Sequence, residues 1–119
     1  MVVLNFRDGR TEKFNLADTA EARRLNGIGN DPQAASRVSG LWLKIDERST
    51  TLPIPKRFRR VSFFGESLIR GDGEHIGERL VIQADDIEVS ATMWTSGSMT
   101  KIETTKTGRR VWAPLEDGQ

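Results

Sequence analysis

Lys56, Arg57, Arg59 and Arg60 place four cations around one aromatic residue, Phe58, directly after the stretch TTLPIP at 50–55. Ammonium and guanidinium groups at this density suit phosphates or the carboxylates of an acidic protein surface. In an extended chain Arg57 and Arg59 face one side, while Lys56, Phe58 and Arg60 face the other. Both sides cannot be buried, so at least two of the cations are displayed. Two readings stand side by side. The cluster is either a contact for an anionic partner or protection of a sheet edge, where positive charge and proline prevent unwanted strand pairing.

Two tryptophans bear on that choice. In GLWLKID at 40–46, Trp42 shares a face with Lys44 and Asp46, opposite Leu41, Leu43 and Ile45. In IEVSATMW at 87–94, Trp94 shares a face with Glu88, Ser90 and Thr92, opposite Ile87, Val89, Ala91 and Met93. A large indole on the polar face of a strand is either covered by other elements of its own chain or marks a partner surface. Trp and Arg are the residues that carry binding energy at such surfaces. Trp42 and Trp94 are therefore the interface aromatics expected to accompany the basic cluster.

Other constellations offer less chemistry. His75, the single histidine, stands in GDGEHIGE with Asp72, Glu74 and Glu78 nearby. One imidazole among loop carboxylates, without the EF-hand spacing, makes no recognisable cage, so the segment reads as a solvated hairpin tip and no metal is expected. RGDG at 70–73 spells an integrin-binding tripeptide, but no secretion signal precedes it. TTKTGRR at 104–110 lacks the spacing that wraps a phosphate, and the glycines at 71, 73 and 77 miss the dinucleotide pattern. No serine has a histidine in a triad context, and no carboxylate pair is set apart for acid–base work. No catalytic residue and no cofactor are expected.

The remaining bounds come from composition. A chain of 119 residues fits one domain, here 1–114, with 115–119 as a frayed tail. Eighteen basic residues against seventeen acidic ones leave a net charge of +1, so attraction to nucleic acid must come from a local patch and not from the whole molecule. The absence of cysteine excludes disulfides, zinc–thiolate sites and cysteine nucleophiles. The first residues show no signal peptide and no apolar run is long enough to span a membrane, which predicts a cytoplasmic protein.

The elements that must position these groups follow from periodicity and turn residues. VVLNF and EKFNL form a hairpin whose apolar positions 2, 4, 6, 14 and 16 are all even. That parity demands an odd loop: Arg7-Asp8-Gly9, with Gly9 left-handed. A helix follows, capped by Asp18 with Glu21 at capping-box spacing and stopped at Asn26-Gly27. Asp31 and Pro32 open a second short helix. Ala20, Leu25 and Ile28 dock these helices on a sheet. From Ser39 the pattern is a meander: a proline-bearing edge strand at 50–55, a long strand with Gly65 as a bulge or bend, and a two-residue turn at Asp85-Asp86. SGS then closes a hairpin, with MTKIETT and RRVWAP as final strands. The fold class expected is α+β, mainly antiparallel: a hairpin, one or two short helices, then five or six strands forming a curled sheet, sandwich or partial barrel. The function expected is a non-catalytic module that docks on a protein partner. Nucleic-acid binding through the Lys56–Arg60 cluster is the alternative, a small carboxylate/arginine enzyme comes third, and a homodimer is compatible with each.

Overall fold

The structure, a computed structural model, describes residues 1–85, 87–95 and 100–106. It is an α+β fold of two antiparallel sheets and two helices. The first sheet has the order β2-β1-β3-β4, built from Val2–Phe6 (β1), Thr11–Phe14 (β2), Val38–Ile45 (β3) and Arg48–Pro53 (β4). The second runs β5-β6-β7-β8, from Ser62–Ile69 (β5), His75–Ala84 (β6), Ile87–Trp94 (β7) and Thr100–Lys106 (β8). Between β2 and β3 lie helices Thr19–Asn30 (α1) and Pro32–Ser36 (α2). Among the described residues neither sheet closes into a barrel. The strand run expected after Ser39 is thus divided: β3 and β4 complete the hairpin's sheet, and the chain then crosses over to start the second one.

The hairpin follows its parity. Val2 pairs with Phe14 and Leu4 with Glu12, which leaves residues 7–9 as the connection. The Phe6 N–H donates to the Arg10 carbonyl at 2.8 Å, and Gly9 takes φ +93°. Val2, Leu4, Phe6 and Phe14 are all buried as a result.

Helix α1 begins as expected and ends elsewhere. The Asp18 carboxylate accepts from the Ala20 and Glu21 amides at 2.9 and 3.2 Å, which satisfies donors that have no partner inside the helix. Glu21 reaches past the cap to accept from the Asn15 amide at 2.9 Å, holding the strand-to-helix turn. Replacing Asp18 by Ala is expected to cost about 1 kcal/mol, read as a lower urea midpoint at unchanged slope. Asn26-Gly27 does not stop the helix, which continues to Asn30 and gives way at the extended Asp31. Asp31 then caps α2 through the Gln33 amide, with Pro32 first in the helix. The buried stripe of α1 is Leu25 and Gly29 flanked by the half-buried Ala22 and Ile28. Ala20, expected among the docking residues, is exposed, because it lies off the three- and four-residue spacing of that stripe.

In the second sheet, Ala84 pairs with Ile87, the register of a two-residue turn, and Asp85 adopts φ +54°. Asp86 lies outside the described residues. So do the SGS turn, the RRVWAP strand and the 115–119 tail. Gly65 is not a bulge: it pairs regularly with Leu80, and the irregularity falls between Leu68 and Ile69. Its missing side chain serves packing instead, since a Cβ there would stand 3.0–3.1 Å from Leu25, Leu16 and Leu80. Leu4, Leu41 and Leu43 of the first sheet join Leu80, Ile82, Val89, Ala91 and Met93 of the second in one buried cluster, with Leu25 of α1. Among the described residues no helix is long and apolar enough to cross a membrane.

Candidate functional site

The basic cluster lies on the crossover between the sheets and not on a strand. Among the described strands β4 lies at an edge, as suits a strand bearing a proline, and ends at Pro53. Ile54 is buried and tied to the Ser39 carbonyl at 2.9 Å. Pro55 then opens a tight turn closed by the Phe58 amide on the Pro55 carbonyl at 3.0 Å, with Lys56 and Arg57 as its central residues. Two residues later Arg60 sits in the left-handed region at φ +54°, a conformation that costs an L-residue roughly 1 kcal/mol or more. The extended alternation expected for Lys56 to Arg60 is therefore absent, because turn and left-handed residue both rotate the chain. The Asp85 amide donates to the Arg59 carbonyl at 3.2 Å, and the Asp85 carboxylate stands 3.9 Å from the Arg60 guanidinium, pinning this end of the crossover.

This winding forms a groove of about 510 Å³. Lys56, Arg60 and Arg7 supply its cations; Ile54, Phe58 and Val61 its apolar floor; Pro32 and Ser36 of α2 the facing wall. Arg7, from the hairpin loop, is the residue that sequence reasoning missed. Its guanidinium donates to the carbonyls of Ser36 at 3.1 Å and Ile54 at 2.8 Å, so one side chain joins hairpin, α2 and crossover. Those bonds use two of five donors and leave the charge at the groove. Nothing in the sequence marks Arg7, which is 47 positions from Ile54 and reads only as a loop residue. A second groove of about 230 Å³ adjoins the first through Arg7 and Ser36 and adds Arg10 and Arg37. Arg10 stacks on the Phe6 ring there, 4.2 Å from its centroid. Arg57 and Arg59 are exposed and stand outside both linings; Arg57 lies 5.5 Å from the Phe58 ring.

The tryptophans do not join the groove, nor each other. Trp42 is 40 % exposed on the outward face of the first sheet, opposite the buried Leu41 and Leu43. Trp94 belongs to the second sheet and is half-buried against its cross-strand partner Gly77, whose absent Cβ would stand 3.2 Å from the indole. Each ring alternates with a residue of the shared core, so they point away from it on different sheets.

His75 is not at a solvated tip. The bulge at Ile76 turns it onto the face of β6 that carries Glu78, and His75 Nε2 is buried 3.8 Å from Glu78 Oε2. Glu78 is 3 % exposed and accepts from the Met1 amino group. Ser67, opposite Glu78, also has a buried Oγ without a hydrogen-bond partner among the described residues. Ser67 and His75 are not hydrogen-bonded to one another, so the nucleophile–base contact of a triad is not formed. The hairpin tip itself is Arg70 to Glu74, where the exposed Arg70 guanidinium grips Asp72 and Glu74 and holds the Asp72 carboxyl below the ordinary carboxylate range. No protein-family model, curated protein or solved structure matches this chain.

Proposed function

We propose that this protein is a non-catalytic binding module that docks an acidic, apolar-anchored segment of another protein in the crossover groove. The supporting observation is the convergence of Arg7, Lys56 and Arg60 around the Ile54–Phe58–Val61 floor. Carboxylates meet the rim, where cations set approach and register, and an apolar side chain of the partner fills the floor, where desolvation gives affinity. The left-handed Arg60 fits this reading. Glycine would hold that φ without strain, yet a long cation stands there.

The test uses fluorescently labelled peptides that alternate Glu with Leu or Phe, and an all-polar control of equal charge. The amphipathic peptide is expected to bind at low salt more tightly than the control. The double variant Lys56→Glu/Arg60→Glu is expected to weaken it at least tenfold, since each reversal turns an exposed attraction of up to about 1 kcal/mol into a repulsion of similar size. Unchanged binding in that variant overturns the proposal. A second reading has its own support. The two adjoining grooves share Arg7 and together carry Arg10, Arg37, Lys56 and Arg60 against the one lining acid, Asp8, a cationic excess suited to phosphates. It requires oligonucleotide binding that falls steeply with salt and is lost in the same double variant.

A further inference from the structure

We infer that the outward face of the first sheet is a second site, a stacking platform for single-stranded nucleic acid centred on Trp42. The strand registers align a row across all four strands: Lys13, Val3, Trp42 and Thr51. Both helices and the second sheet lie against the opposite face, where Leu4, Leu41 and Leu43 are buried. Among the described residues, Trp42 is the one large aromatic that the four strands direct to the outward face. Its cross-strand partner Val3 is only 6 % exposed, while Trp42 itself is 40 % exposed. The next row holds Gly40 between Asn5 and Pro53.

Charge selects the ligand. The charged side chains that the four strands direct outward are Lys13 and Lys44; Glu12, the acid of β2, turns the other way and pairs with Arg24 of α1. The acids nearest in sequence, Asp46 and Glu47, sit in the turn beyond β3. Lys44 Nζ lies over the Trp42 ring, 5.7 Å from its centroid; a base laid on that face displaces the ammonium, whose flexible stem then lets it follow the incoming phosphate. An exposed aromatic on an open sheet with flanking cations gives sequence-tolerant stacking on unpaired bases. A duplex, whose bases are already stacked, gains nothing from it. This site is independent of the crossover groove.

The experiment titrates oligo(dT), oligo(U) and a matched duplex into the full chain at low salt, following tryptophan fluorescence and the anisotropy of a labelled strand. Single strands are expected to quench fluorescence and to bind more tightly than the duplex. Trp42→Ala is expected to weaken binding about tenfold, the loss of one stacked base. Trp42→Phe should retain most of the affinity while losing most of the quenching, which isolates this ring among the three tryptophans. Lys13→Glu/Lys44→Glu leaves the ring in place and should weaken binding at least tenfold, so the site remains testable if Trp42→Ala disturbs the fold. Lys56→Glu/Arg60→Glu should leave the Trp42-dependent quenching intact. Three results each overturn the site: no binding at low salt, equal preference for the duplex, or loss in the crossover variant with none in the Trp42 and lysine variants. The last assigns nucleic acid to the groove. Binding of acidic peptides but not oligonucleotides by this face also rejects it.

Discussion

Gly29→Ala is expected to destabilise the protein by about 3 kcal/mol or more, at the upper end of what overpacking costs. Gly27→Ala, two residues earlier in the same helix, is expected to stabilise it by roughly 0.5–1 kcal/mol. The opposite signs follow from what each new methyl would meet. At Gly29 a Cβ would stand 1.9 Å from the Phe63 carbonyl oxygen and 2.8 Å from its carbon. Those atoms are backbone of β5 and cannot swing aside. The helix must lift, which opens the contact of Leu25 with Gly65. At Gly27 nothing lies within 4 Å, so alanine brings only its better helix propensity. Paired urea denaturation of the two variants decides the matter. Equal effects would mean that α1 does not sit on β5 as described.

Asn26→Ala is expected to cost about 2 kcal/mol or more, because it leaves two backbone groups unpaired. Among the described residues β5 is the edge of its sheet, so at Gly65 its outward N–H and C=O face no described neighbouring strand. The Asn26 side chain takes that neighbour's place: its carbonyl accepts from the Gly65 amide at 2.8 Å, and its amide donates to the Gly65 carbonyl at 3.2 Å. One planar amide thus closes a stretch of edge that would otherwise be open to another strand. Asn26→Asp keeps the acceptor but sets a carboxylate oxygen against the Gly65 carbonyl, so it should not rescue stability. Hydrogen exchange provides a local reading: the Gly65 amide should lose protection in Asn26→Ala beyond the global loss of stability. A Gly65 amide that stays protected would remove this role from Asn26.

Asn26-Gly27 also shows where local chemistry misleads. The pair has the composition of a helix stop, and taken alone it is one. In the folded chain both its members serve the helix interior, because Asn26 has a partner on β5 and the helix gains burial through Ile28 and Gly29 beyond it. A local stop signal worth a few tenths of a kcal/mol gives way to packing worth several times that. The same holds for Gly65, which suggests a bulge by residue type but serves a close approach that only Leu25 and Leu16 reveal. His75 reads as loop until the bulge at Ile76 turns it toward Glu78.

Half of the candidate groove was legible in the same way. Lys56 and Arg60 stand out by density of charge, but the extended alternation applied to them fails once Pro55 starts a turn and Arg60 goes left-handed. Arg7 could not be found, since its contribution depends on two carbonyls distant in the chain.

Strand faces, the three-residue hairpin loop, the two helix caps and the proline-marked edge were set by the sequence alone. Each depends on contacts within a few residues, where pleat parity, side-chain caps and ring-fixed φ act directly on the backbone. Only the tertiary structure decided how the strands divide into two sheets, which surface each tryptophan occupies and how Arg7 meets Lys56 and Arg60. Those outcomes depend on which distant apolar faces bury one another, and alternation fixes a strand's two faces without naming the partner for either.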